Sequence, residues 1–171
     1  MPFTVRVSNV PELERGAPEL LALENARRKA SAVRADGAGE HVLACDTVVA
    51  LGGEIYGKPA DEDAARTTLR ALSGATHEVV SGLVLLLDAD RRDPARGERT
   101  AIARTEVSFR ELGGDLLDWY LATGEWRGRA GGYAIQGAGA ALVRAVAGDY
   151  ENVVGLPLAS LLDIYPELLS G

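Results

Sequence analysis

HVLACDTVVALGGEIYGKP, residues 41–59, sets the architecture. Residues 41–51 form a mostly apolar, β-branched run, the composition of a buried strand. Gly52-Gly53 is a hairpin turn signal. Glu54-Ile55-Tyr56 is the return, and Gly57-Lys58-Pro59 ends it. Asp46 interrupts the apolar run. A buried carboxylate is costly unless it is paired, hydrogen-bonded or bound to a metal. Either the strand ends near Asp46 at a cleft, or the charge is compensated. Lys58, twelve residues on, follows the hairpin return and so comes back to the same end of the sheet as Asp46.

Upstream, residues 18–35 place Leu20, Leu23, Ala26, Ala30 and Val33 at helical spacings of three and four. Pro18 suits the first turn and Gly37 the stop. Lys29 falls at the edge of this apolar stripe, where a plain reading makes it a boundary lysine reaching for water. FTVRVS (3–8) alternates like a half-buried strand before Pro11 and Gly16 break the chain.

Downstream, DEDAARTTLRAL (61–72) reads as a helix with acids in its first turn. HEVVSGLVLLLD (77–88) and TAIARTEVSF (100–109) read as partner strands, joined by a polar hairpin tip, DADRRDPARGER (88–99). A short helix is expected over 112–124 and a glycine-dense loop over 125–139. A strand (141–148), a turn and a last helix (156–169) follow. Strands interleave with helices over one uninterrupted chain, residues 1–171, which indicates a single α/β or α+β domain.

Composition narrows the chemistry. The chain of 171 residues carries 25 acidic and 18 basic side chains, a formal charge of −7, and is 47% hydrophobic. That is too apolar for a disordered chain. One cysteine, Cys45, excludes an internal disulfide framework and a Cys-rich zinc site, and it reads as a small buried apolar residue. Two histidines are too few for a His-cluster metal site, so any metal must bind through carboxylates. The acidic balance argues against a nucleic-acid partner, and no apolar run approaches the roughly 20 residues that span a bilayer. The N-terminus lacks a signal-peptide pattern, so a cytoplasmic protein is expected. Sixteen of the 18 basic residues are Arg, leaving only Lys29 and Lys58. Where Arg has replaced Lys so widely, the remaining lysines become candidates for sites that require a compact ammonium. A carboxylate and an ammonium at one cleft mouth suit attack on a phosphate, although a plain Asp46–Lys58 ion pair fits the spacing equally well. The glycine-rich loop matches no phosphate-loop motif. Its density still suggests backbone close to a ligand, with Gln136 offering an amide to a base edge.

CDTVVALGGEIYGKP (45–59), LSGATHEVVSG (72–82), TGEWRGRAGGYAIQGAGA (123–140) and YENVVGLPL (150–158) resemble, in order and spacing, the Maf family of nucleoside triphosphate pyrophosphatases. ENARRKA (24–30) and FTVRVSNVPE (3–12) fit the family's upstream blocks. The resemblance implies a single α/β domain of Maf/ITPase-like type, with a mixed sheet flanked by helices and a nucleotide-binding cleft. It implies hydrolysis between the α- and β-phosphates to the monophosphate and pyrophosphate, with a divalent cation, Mg²⁺ or Mn²⁺. By the same resemblance, Asp46 is the general base of a DTVV motif. Lys58 of GKP and Lys29 of the helix face the phosphates. Glu12, closing Ser8-Asn9-Val10-Pro11-Glu12, shares the metal with Asp46. Thr47 and Gln136 match positions tied to the choice of nucleobase, and Gln there resembles the dTTP and UTP branch. Arg129 stands where the family often has Lys.

Two further expectations follow. The family begins further upstream, with a strand and an S-x-x-R segment, so the true start is expected to lie before Met1, a point that intact mass from the native host checks. The reading is compatible with a homodimer. The rival reading is a nucleotide-binding regulatory module with little or no turnover.

Overall fold

The run around Asp46 does form a strand. In the computed structural model, which describes residues 3–35, 41–88 and 97–169, β1 spans Val42–Leu51 and turns through Gly52-Gly53 into β2, Glu54–Tyr56. α1 (Pro18–Ala35) precedes them. α2 (Glu62–Leu72) follows, its N-terminus capped by the Asp61 side chain accepting from the Ala64 N–H at 2.8 Å. β3 (Thr76–Leu86) and β4 (Glu98–Phe109) are the long central pair. α3 (Gly114–Thr123) leads into the glycine-rich loop, and β5 (Val143–Ala147), α4 (Tyr150–Val154) and α5 (Leu158–Ile164) complete the order.

The five strands lie in the order β2-β1-β3-β4-β5. Every pairing is antiparallel, so the mixed sheet expected above is corrected. Hairpin-type returns join β1 to β2, and the α2 crossover delivers β3 running against β1. No parallel neighbour arises among the described residues.

Alternation along β1 splits the core in two. Val42 and Val48 face α1, whose Leu21, Ala22, Ala26 and Ala30 are almost fully buried. On the other face Val49 joins Leu69 and Leu72 of α2, Val79 and Val107 of the sheet, and Leu117 and Tyr120 of α3 in the main core. The small residues on α1 let its backbone come close to the sheet. Gly82 completes that approach, because a Cβ there would sit 2.5 Å from the Leu23 Cα.

Three expected elements differ, the first being the turn after the strand at 141–148, where Tyr150–Val154 forms α4 with Asp149 as its N-cap. Residues 3–8 form no strand, and Phe3, Val5 and Val7 are 79–85% exposed, because the segment pairs with no strand among the described residues. The last helix breaks into α5 and a 3₁₀ turn at Pro166–Leu169, since proline disfavours helical backbone at the residue before it and Tyr165 sits at φ −142°. The expected hairpin tip at 88–99 lies mostly outside the described residues, as does Gly37. Among the described residues no helix is long and apolar enough to cross a membrane.

Candidate active site

Asp46 is 6% exposed, and its strand does not end there. The ladder with β3 continues past it from Ala50 to Val42, with Asp46 registered on Gly82. The cleft arises on the opposite edge. β2 pairs only with Val49, Ala50 and Leu51, so β1 has no strand neighbour on that side at Asp46 among the described residues. The charge is also compensated, by Lys29 rather than by Lys58. Lys29 Nζ lies 2.5 Å from Asp46 Oδ1, and Asn25 Nδ2 donates to Asp46 Oδ2 at 3.2 Å.

Glu12 ties this pair to Lys58. Its carboxylate accepts from Lys29 at 2.7 Å and from Lys58 at 2.7 Å on both oxygens. The two lysines of the chain therefore meet at one carboxylate, and Asp46–Lys29–Glu12–Lys58 form a continuous chain of alternating charge. The plain Asp46–Lys58 pair is not what forms. Burial is the largest effect on Lys29 and pulls its pKa down, but the hydrogen bonds and charges of Asp46 and Glu12 outweigh it, leaving the ammonium above its ordinary value. For Glu12, burial pushes up, while Lys29 and Lys58 together hold the carboxyl below its usual range.

Lys29, Asp46, Thr47, Lys58, Arg129 and Gln136 line one cavity of about 170 Å³. Side chains alternate on β1, so Thr47 projects away from α1, where its Oγ1 shares a 2.7 Å hydrogen bond with Ser81 Oγ. Gln136 and Arg129 come from the glycine-rich loop and are exposed. The loop is anchored from three sides. Gly131 N–H donates to the Gly57 carbonyl beside Lys58, at 3.1 Å. The Tyr120 hydroxyl accepts from Ala134 N–H at 3.1 Å. Glu125 accepts from Ala138 N–H and Gly139 N–H at 3.0 and 3.2 Å. Tyr133, also on the cavity wall, shares a 2.9 Å hydrogen bond with the buried His77. Burial alone lowers the His77 pKa to about 4.

Asn25, Glu125 and Asn152 were not among the residues expected from sequence. Asn25 sits one turn before Lys29, so the helical period places both on the same side of α1, a signal that was available. Glu125 acts only through backbone groups that the loop's fold brings to it. Asn152 is fully buried and donates to the Val79 carbonyl and Thr105 Oγ1, both at 3.0 Å, which seats Val153 and Val154 on the cavity wall. Cys45, expected to be buried, is half-buried on the cavity wall, and desolvation raises its thiol pKa to about 11.

The donor set also bears on a divalent cation. Glu12 and Asp46 converge on one ammonium, so their oxygens already share a cationic point. No group of three or more His, Cys, Asp or Glu is arranged for a metal among the described residues. Two carboxylates without a full cage suit a Mg²⁺-like ion that takes its remaining oxygens from substrate phosphates and water. The residues present fit such an ion.

The chain resembles proteins of known name along most of its length. It is 42% identical over 162 residues to a protein named dTTP/UTP pyrophosphatase from Pyrococcus furiosus, covering 94% of this chain and 82% of the relative. A protein of the same name from Anaeromyxobacter dehalogenans is 51% identical over 143 residues, covering 83% and 70%. A third, from Deinococcus radiodurans, is 44% identical over 163 residues, covering 95% and 80%. The model of the family described as Maf-like protein matches residues 1–168. With that family match and the cleft at Asp46 in agreement, the chain belongs to the Maf-like protein family.

Proposed function

We propose that this protein hydrolyses dTTP and UTP between the α- and β-phosphates, giving the nucleoside monophosphate and pyrophosphate. The observation that carries the proposal is the charge chain Asp46–Lys29–Glu12–Lys58 at the mouth of a cavity that Thr47 and Gln136 also line. Water attacks a polyanion poorly unless charge is neutralised and the nucleophile oriented. Asp46 accepts the proton of the attacking water. Lys29 and Lys58 neutralise phosphate oxygens, each ammonium having a third N–H beyond the bonds it makes to Glu12 and, for Lys29, to Asp46. Gln136 presents a donor and an acceptor to the edge of uracil or thymine, and Thr47 borders the same space. Arg129 adds a fork-shaped cation on the loop side.

Glu12 and Asp46 are the residues that would hold the divalent cation. Such an ion, when bound, supplies further neutralisation of the phosphate oxygens. The rival reading as a regulatory module is less favoured, because the three relatives above are all named as pyrophosphatases. Incubation with each triphosphate and Mg²⁺ or Mn²⁺ tests the proposal. Pyrophosphate should accumulate with dTTP and UTP. Stepwise orthophosphate would defeat it.

A further inference from the structure

Asn25 is 2% exposed and carries no charge, yet its side-chain hydrogen bonds run to the two segments that hold the carboxylates. Its Oδ1 accepts the backbone N–H of Leu13 at 2.7 Å, and its Nδ2 donates to the Leu13 carbonyl at 3.0 Å. One side-chain amide thus makes with Leu13 the pair of bonds that a neighbouring strand would make. The segment 3–15 has no helix or strand of its own, so this pair fixes the residue next to Glu12. Nδ2 also donates to Asp46 Oδ2 at 3.2 Å, while Lys29, one turn further along α1, takes Oδ1.

We propose that Asn25 is a positioning residue of the reaction, locking Glu12 and Asp46 into one arrangement around Lys29. The inference rests on the reading of Asp46 as base and Glu12 as its partner carboxylate. A carboxylate has about four acceptor sites on its two oxygens. Lys29 alone leaves Asp46 free to swing about its bond to Oδ1. A second donor on Oδ2 fixes the plane of the group and so the direction in which its remaining lone pairs face the cavity. Without the bonds to Leu13, the polar partners that place Glu12 among the described residues are the long, flexible side chains of Lys29 and Lys58.

No other common side chain does all three tasks here. Asp would accept from the Leu13 N–H but would set negative charge against both the Leu13 carbonyl and Asp46. Ser is too short to span both partners. Gln would carry the amide a methylene further from α1 and so cannot keep Leu13 and Asp46 at the distances that Asn25 does.

The test compares Asn25→Ala and the isosteric Asn25→Asp with wild type, using dTTP and pyrophosphate release, with melting temperature measured for each. Asp46→Asn is run beside them. The expected result is kcat down about 10- to 100-fold in Asn25→Ala and further in Asn25→Asp, with KM changed less than about threefold. A role in packing alone predicts that the isosteric Asp is the milder change. Should kcat in either folded variant stay near wild type, or Asn25→Asp prove milder than Asn25→Ala, the inference fails. If Asp46→Asn retains turnover, the reading of the base fails instead. Hydrogen exchange in the wild-type protein gives a check that needs no variant. The Leu13 amide should be protected, and exchange at the rate of a free chain would show that Asn25 does not hold it.

Discussion

Gly82 stands opposite Asp46 in the β1–β3 ladder, and a Cβ on Gly82 would lie 2.5 Å from both the amide nitrogen and the Cα of Leu23. The helix backbone therefore rests on the sheet beside the proposed base, and this contact brings Asn25 and Lys29 within reach of it. Gly82→Ala must push α1 away, because the obstacle is backbone. A loss of about 1–3 kcal/mol is expected in urea unfolding, with turnover falling even at temperatures where the variant is fully folded. Stability and activity both equal to wild type would mean that α1 is free to shift.

Lys58 is 46% exposed in its side chain and touches both oxygens of Glu12, so its removal should spare the fold and harm the chemistry. Lys58→Arg should leave stability within about 0.5 kcal/mol. Pyrophosphate release should nevertheless fall roughly tenfold or more, since a planar fork cannot replace a compact ammonium between Glu12 and phosphate. Full activity in the variant would remove Lys58 from the mechanism.

Glu125 holds two consecutive amides of the Gln136 loop, one on each carboxyl oxygen. Glu125→Gln can accept only one of those bonds, exchanging a charge-assisted pair for a neutral bond. The difference, on the order of 1.5 kcal/mol, corresponds to a rise of about tenfold in KM for dTTP. Discrimination against purine triphosphates should weaken with it, while kcat holds better. Steady-state kinetics with dTTP, UTP and dATP checks this; unchanged discrimination would place base selection elsewhere.

His77 provides a pH signature. Its pKa is lowered to about 4 in the fold from an ordinary value of 6.5, because burial resists the charged ring. Above pH 6.5 the ring is neutral folded or unfolded. As pH falls below 6.5 the unfolded chain takes up a proton that the folded one refuses, so stability declines until about pH 4. The full loss is roughly 3 kcal/mol. His77→Gln should be less stable at neutral pH, where it disturbs the bond to Tyr133, and should lose this part of the acid dependence. Urea unfolding across pH 4–7 measures it, and an identical pH slope in both proteins would contradict the assignment.

The local pattern around Asp46 carried most of the fold. The apolar run, the paired glycines and the helical stripe at 18–35 each became the element that their residues indicate, since periodicity and turn chemistry act over a few residues. What local pattern could not show was pairing. FTVRVS has the alternation of a strand but no ladder in which to lie, and strand direction in the sheet depends on crossovers rather than on any one run. The lone carboxylate and the two lysines were legible at the site because each breaks a pattern. Glu125 was not, because it works through backbone groups of a distant segment; Asn25 shows only in its helical register with Lys29, and its bonds to Leu13 are defined only once the chain has folded.

The most direct measurement is pyrophosphate released from dTTP with Mg²⁺ by the wild-type protein and by Asp46→Asn, with folding of both confirmed by circular dichroism. Pyrophosphate and dTMP are expected in equal amounts from the wild type, with turnover reduced by at least about a thousandfold in Asp46→Asn. Orthophosphate as the wild-type product, or full turnover by the folded variant, would contradict the reaction proposed.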